Sequence, residues 1–98
     1  MYEKLIVEII GTFFFLSVIL NFGNDVNIGP ISIGLGLLVA IYFGANISGA
    51  HYNPAVTFAM ILENKIAFSL GLMYIIAQLT GAFAAVKFNN LVIKKIVI

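Results

Sequence analysis

Residues 48–57 read Ser-Gly-Ala-His-Tyr-Asn-Pro-Ala-Val-Thr and form the most informative segment of the sequence. Asn53 followed by Pro54 predicts the start of a helix, because asparagine can cap the first turn and proline occupies the first helical position, where no N–H is needed. The apolar run that follows ends at Leu62. A helix from Pro54 to Leu62 extends only about 14 Å, roughly half the hydrocarbon thickness of a bilayer. The sequence therefore predicts a half-helix, preceded by an extended segment of small and polar residues.

The composition around this stretch is that of a membrane protein. Of 98 residues, 62% are hydrophobic and 9% are charged, whereas soluble domains have about 45–50% apolar and about 25% charged residues. The charged residues cluster, and between the clusters lie three apolar segments at about 5–22, 30–46 and 66–86, each near the length that predicts a membrane span. We expect an all-α membrane protein with three transmembrane helices.

Residues 47–62, between the second and third segments, are predicted to form a re-entrant loop and the half-helix. Irregular backbone at membrane depth is tolerated only where protein shields it or where it lines a water-filled cavity. No linker or repeat divides the sequence, so residues 1–98 are predicted to be one unit. The first segment could instead be a signal peptide, but Glu8 interrupts its apolar run and no small-x-small cleavage pattern precedes Gly23, so we interpret it as a retained span.

Several functional classes are disfavoured by what the sequence contains. The net charge is +1 without a basic run, which gives no indication of nucleic-acid binding. Cysteine is absent and there is one histidine, so we expect no metal site and no cofactor. His51, Glu63 and Ser48 could be written as a hydrolase set, but Glu63 lies beyond the far end of the half-helix, and no base, nucleophile and oxyanion donor converge. We therefore expect no catalytic residues.

The half-helix favours conduction of neutral molecules. Its N-terminus presents backbone N–H groups and a positive dipole end, which repel cations and donate hydrogen bonds to neutral oxygens. The carbonyl groups of Gly49, Ala50 and His51 in the preceding segment would be acceptors. Donors and acceptors along one narrow path suit water or polyols.

These residues resemble the first-repeat signature of the aquaporin and glycerol-facilitator family, Ser-Gly-Ala-His-x-Asn-Pro-Ala-Val-Thr. Glu8-Ile9-Ile10-Gly11-Thr12 is similar to the Glu-x-x-Gly-Thr of the family's first span, and Tyr74-Ile75-Ile76-Ala77-Gln78 with Gly81-Ala82 is similar to its third span. The resemblance extends from about residue 8 to residue 85.

The resemblance implies a role for each matching residue. Asn53 would offer its side-chain amide to the permeating molecule, and Pro54 and Ala55 would pack against an opposing half-helix. Glu8 and Gln78 would hold the re-entrant backbone from the surrounding spans. An ionisable residue within a span is a functional hypothesis by default, although Glu8 could instead lie at the lipid interface. His51 would line the pore through its backbone carbonyl.

The sequence departs from the family in having one half, whereas ordinary members have two in opposite orientations. An inverted copy, a separate partner chain or truncation would each account for this. Lys4 and Lys65 would lie on one side of the membrane and Lys87, Lys94 and Lys95 on the other. Because orientation follows lysine and arginine asymmetry, this near-balance fits insertion both ways, and hence dual topology and an antiparallel homodimer or higher homo-oligomer.

The second departure concerns selectivity. Where the family's second repeat has an arginine after Asn-Pro-Ala, this sequence has Val56. Family spacing places Ile33, Ile41 and Ala50 at the other constriction positions. We therefore predict a weakly discriminating pore for water, glycerol or similar uncharged solutes. The alternative is a non-conducting structural or regulatory membrane subunit.

Overall fold

The computed structural model describes residues 1–97, and this part of the chain is helical with irregular connections. The helices are α1 (Tyr2–Phe22), α2 (Gly29–Gly44), α3 (Pro54–Leu62) and α4 (Phe68–Phe88), followed by a π-helical turn (Asn89–Ile93) and α5 (Lys94–Val97). The all-α prediction is confirmed. Two helical stretches, Tyr2–Phe22 and the continuous Phe68–Ile96, are long and apolar enough to cross a membrane, whereas α2 is apolar but shorter.

The last helical stretch extends well beyond the predicted end near residue 86. No glycine or proline follows Gly81, so nothing in the sequence stops the helix there. The helix instead continues through the π-helical turn and returns to α-helical geometry in α5. Lys87 therefore lies in α4, and Lys94 and Lys95 lie in α5.

α1 and α4 run parallel and approach closely at Gly81. A Cβ atom at this position would lie 2.5 Å from the carbonyl oxygen of Ile9 and 3.1 Å from the nitrogen of Phe13. The buried face of α4 also carries Ala77 and Ala85, and small residues of this kind let helices approach in lipid. Backbone therefore lies against backbone at the centre of the fold.

α2 runs antiparallel to α1. A Cβ atom at Gly36 would lie 3.1 Å from both γ carbons of Val18, and near the end of α2 Gly44 faces Val7. The connection between the two helices turns at Asp25, whose Oδ1 accepts the N–H groups of Asn27 (2.8 Å) and Ile28 (3.0 Å). This Asx-type turn returns the chain along α1.

The short helix α3 runs back along α4. Its Thr57 receives a hydrogen bond from Gln78 (2.8 Å), and its Ile61 packs against Gly71 in the first turn of α4, where a Cβ atom would lie 2.5 Å from Ile61 Cδ1. Among the described residues, α2 and α3 have no pair of Cα atoms within 8 Å. An opening is therefore left between them.

The prediction of an extended segment before α3 was wrong. Gly49, Ala50 and Tyr52 have φ angles of +89°, +54° and +53°, so the backbone here is left-handed at three positions. Such a conformation is rarely adopted by residues other than glycine and persists only where the surroundings fix it. The contacts that fix it come from α1, α2 and α4.

Candidate functional site

The carboxylate of Glu8 is fully buried and organises the segment before α3. Its Oε2 accepts hydrogen bonds from Ser48 Oγ (2.7 Å) and from the N–H of His51 (3.0 Å). Its Oε1 accepts from the N–H of Tyr52 (2.8 Å) and from Gln78 Nε2 (2.9 Å). A buried charge is tolerated only when it is paired or hydrogen-bonded in this way. α1 thus supplies one anion that three residues of the loop and one residue of α4 surround.

The left-handed backbone has a physical cause in this arrangement. Successive N–H groups in alternating right- and left-handed conformation form a concave nest for an anion, and here His51 and Tyr52 direct adjacent N–H groups at the one carboxylate. An extended strand would direct them to opposite sides. The sign of φ alternates here as in such a nest, since it is positive at Ala50 and Tyr52 but not at His51.

Tyr52 also anchors the segment from its side chain. It is 2% exposed, its ring lies against Gly11 of α1 and Gly44 of α2, and its hydroxyl donates to the carbonyl oxygen of Ala40 (2.7 Å). Neither glycine could carry a side chain without displacing the ring. The two glycines therefore form the slot in which Tyr52 sits.

A chain of hydrogen bonds continues from Gln78 to His51. Gln78 Nε2 donates to Thr57 Oγ1 (2.8 Å), which lies 2.8 Å from His51 Nδ1. Thr57 is fully buried and has no other partner within residues 1–97, so its own proton is satisfied only by donation to Nδ1. This assignment, made from the network, places the imidazole proton of His51 on Nε2.

Asn53 begins α3 at the level of the middle of α1. Its Oδ1 accepts the N–H of Ala55 (2.8 Å), which caps the helix, and its side chain is exposed. A cavity of about 350 Å³ beside Asn53 and Pro54 is also lined by α1 from Thr12, at its centre, to Ile19, and by Gln78 at the centre of α4. The N-terminus of α3 is therefore held deep in the helix layer, not at its edge.

The proposed constriction residues are not gathered by one copy of the chain. Ile33 and Ile41 are separated by about 12 Å along α2, Ala50 lies half-buried in the loop, and Val56 lies in the first turn of α3. The opening between α2 and α3 separates the members of the set. A closed ring would need atoms from outside this chain.

Sequence reasoning missed four residues that hold the site, namely Ser48, Tyr52, Thr57 and Tyr74. Tyr74 donates its hydroxyl to the carbonyl oxygen of Ser48 (2.7 Å), and its ring lies 5.0 Å from that of His51. One signal was available, because Tyr74 and Gln78 are four residues apart and so share a helix face. For Tyr52 there was none, since its role depends on contacts with Gly11 and Gly44 that only the tertiary fold creates.

Comparison with known proteins identifies the class as channel-forming membrane proteins. The profile of the major intrinsic proteins matches residues 1–97. The chain belongs to the major intrinsic protein family, a family of channels and not of enzymes, which confirms the resemblance read from its motifs.

The individual relatives share part of their length with this chain. It is 39% identical over 87 residues to aquaporin-B of Dictyostelium discoideum, covering 80% of this chain and 30% of the relative. It is 38% identical over 88 residues to glycerol uptake facilitator protein-like 6 of Lactiplantibacillus plantarum, and this match covers 85% of this chain and 40% of the relative. It is 40% identical over 100 residues to aquaporin PIP2-7 of Arabidopsis thaliana, and this match covers 89% of this chain and 35% of the relative. The chain thus spans roughly a third of the length of these relatives. No solved structure matches it significantly.

Proposed function

We propose that the chain is a half-channel that conducts water or small uncharged solutes such as glycerol. In this arrangement α1, α2 and α4 cross the membrane, and residues 47–62 enter it and leave on the same side. The observation that carries the proposal is the position of Asn53, which the hydrogen bonds of Glu8 hold at the level of the middle of α1 while its side chain remains exposed. The family membership of the chain supports the same function.

The chemistry at Asn53 suits a neutral solute. Its Oδ1 is used by the cap, so the amino group Nδ2 is the part of the side chain left to donate to a solute oxygen. The first N–H groups of α3 add the positive end of the helix dipole, which disfavours cations. Carbonyl groups of Gly49, Ala50 and His51 supply acceptors on the approach to Asn53. A water molecule can therefore exchange hydrogen bonds along a path lined by uncharged donors and acceptors.

The second wall of the pore is proposed to come from an antiparallel copy of the chain. The opening between α2 and α3 supports this, because a half-helix from an inverted copy would meet α3 there, N-terminus to N-terminus. Ile33 of one copy would then approach Ile41, Ala50 and Val56 of the other at each end of the pore. This apolar constriction, which lacks an arginine, would discriminate weakly among small neutral solutes.

Stopped-flow light scattering of liposomes that contain only the purified chain tests conduction. Under water and glycerol gradients we expect permeation above that of empty liposomes, reduced by Asn53→Asp, because a carboxylate replaces the donating amino group. Asn24→Asp, an exposed change in the connection between α1 and α2, is the matched control and should conduct normally. Background permeation by verified folded protein would instead favour a non-conducting subunit or the need for a separate second half.

Cysteine crosslinking tests the antiparallel pairing. The chain has no cysteine, so each introduced one is unique. Ala55→Cys, exposed at the start of α3, should form a disulfide-linked dimer, whereas Leu72→Cys, exposed on α4, should not. A conducting protein whose Ala55→Cys variant stays uncrosslinked under oxidation would contradict this pairing and leave conduction intact.

A further inference from the structure

We propose that a pocket bounded by Lys4, His51 and Lys65 binds the phosphate group of an anionic ligand. The pocket has a volume of about 450 Å³ and lies between the first turn of α1, the loop at Ser48 and Gly49, and the connection from α3 to α4. It shares no lining residue with the cavity beside Asn53, although the backbone carbonyl groups of Gly49 and His51, two of its lining residues, belong to the proposed conduction path. The proposal does not depend on conduction.

Two ammonium groups at the pocket lack a carboxylate partner. Within residues 1–97 the only ion pair joins the terminal amine to Glu3, so neither Lys4 nor Lys65 is neutralised by a salt bridge. The backbone of Lys65 is fixed where the chain turns after α3, since its N–H donates to the carbonyl oxygen of Met60 (2.9 Å). Two lysines from different elements are thus brought to one concave site.

His51 contributes a third donor. Because Thr57 donates to Nδ1, the imidazole proton is on Nε2, the nitrogen that is not engaged by the polar cluster. Gly49 lies beside that nitrogen and has no side chain to cover it, whereas a Cβ atom at this position would lie 3.5 Å from Nε2, in van der Waals contact. Phosphate oxygens form short, charge-assisted hydrogen bonds with donors of this kind.

The negative charges near the pocket are already accounted for. Glu8 lies behind Ser48 and His51, but both of its oxygens are occupied by four donors. Glu3, next to Lys4, pairs with the terminal amine, and neither Glu3 nor Glu63 lines the pocket. Two ammonium groups against one hydrogen-bonded carboxylate leave the pocket with an excess of positive charge, which selects an anion over a neutral solute.

The position of the pocket indicates where the phosphate could come from. Lys4 and the residues before α4 lie at the same end of the parallel pair α1 and α4, where a membrane protein of this kind meets the aqueous phase. Both the phosphate of an anionic lipid headgroup and free phosphate are available at that level, and lysines near a membrane surface attract such groups. The shared chemistry is a phosphate oxyanion.

Titration of the full chain in a non-ionic detergent tests the site with two probes, inorganic phosphate and a short-chain phosphatidic acid, followed by phosphorus NMR. We expect saturable binding whose affinity falls about fivefold in the Lys65→Gln variant. In the double variant that also carries Lys4→Gln, the affinity should fall about 25-fold, because each lysine contributes a similar attraction. Lys87→Gln is the matched control, because this exposed lysine lies against Phe83 at the far end of α4 and should leave binding unchanged.

Nitrogen NMR of His51 gives a readout independent of affinity, because the Nε2 resonance should shift when a probe binds. Binding of both probes identifies the phosphate group itself as the ligand, and binding of phosphatidic acid alone identifies a lipid headgroup. The proposal is overturned if folded wild-type protein binds neither probe saturably, if Lys87→Gln weakens binding as much as Lys65→Gln, or if the Nε2 resonance does not move at saturation.

Discussion

Replacing Glu8 by glutamine should destabilise the protein by removing acceptors that cannot be replaced. Each carboxylate oxygen accepts one backbone N–H, from His51 or from Tyr52, and one side-chain donor, from Ser48 or Gln78. A glutamine has one acceptor oxygen, so in either orientation its amino group faces a backbone N–H. The Ser48 hydroxyl can rotate to accept, but a backbone N–H has no such alternative.

The magnitude follows from these four hydrogen bonds. One buried N–H without a partner costs about 1–3 kcal/mol, and the change from charged to neutral acceptor weakens each remaining bond by about 1 kcal/mol or less. We therefore expect Glu8→Gln to lower the free energy of unfolding by about 2–4 kcal/mol. The loop should become mobile first, because three of the four donors belong to it.

Unfolding in mixed micelles at increasing dodecyl sulfate, with hydrogen exchange at residues 48–53, measures both effects. Glu63→Gln is the control, since Glu63 is exposed and surface changes of this kind usually stay within about 0.5 kcal/mol. If Glu8→Gln unfolds like the wild type and exchange of the His51 and Tyr52 amides is unchanged, the carboxylate does not hold the loop and the reasoning fails.

Three other predictions concern separate parts of the molecule. Gly81→Ala should lower the free energy of unfolding by about 1–3 kcal/mol in the same assay, because the added Cβ atom would meet the α1 backbone. Gly34→Ala, with open space around it, should be neutral or stabilising. Equal effects of the two substitutions would exclude close packing as the cause. Val56→Arg should raise selectivity for water over glycerol in the liposome assay, and unchanged discrimination would remove Val56 from the constriction. Donation from the N–H groups of Ile28 and Asn27 lowers the pKa of Asp25 below its ordinary value, so the turn's contribution to stability should be complete above that ordinary value and be lost as the pH falls through the lowered pKa; a carbon NMR titration midpoint at or above the ordinary value would contradict this.

The short helix could be predicted from sequence because its signals are local. Asn53, Pro54 and the apolar run to Leu62 define a capped helix without reference to any other part of the chain, and α3 has these bounds. The buried pairing of Glu8 with Gln78 is different, since 70 residues separate them. Resemblance to a family, and not periodicity, associated both residues with the loop.

The conformation of the loop could not be predicted because it depends on tertiary contacts. Small and polar residues before Asn53 are compatible with an extended backbone, and nothing local requires Ala50 and Tyr52 to be left-handed. The requirement comes from a carboxylate in α1 and from the slot between Gly11 and Gly44. The end of the last helix differs from the prediction for a simpler reason, because the lysines after Val86 do not stop a helix and lysine continues one well.

The donors to Glu8 lie far from it in the sequence, and this separation has a consequence for biosynthesis. In the proposed arrangement Glu8 enters the membrane with the first span, where an ionised side chain at depth costs about 3 kcal/mol, whereas its donors lie 40 to 70 residues further along the chain. At ribosomal rates of about 5–20 residues per second, Gln78 is made on the order of 4–14 s after Glu8. Until residues 48–52 have been made, the carboxyl group of Glu8 has none of these partners, and its fourth donor is absent until Gln78 has been made. Synthesis of α4 is the step that supplies the last donor, so translation arrest before Gln78 should yield a chain that insertion machinery must hold or quality control must remove.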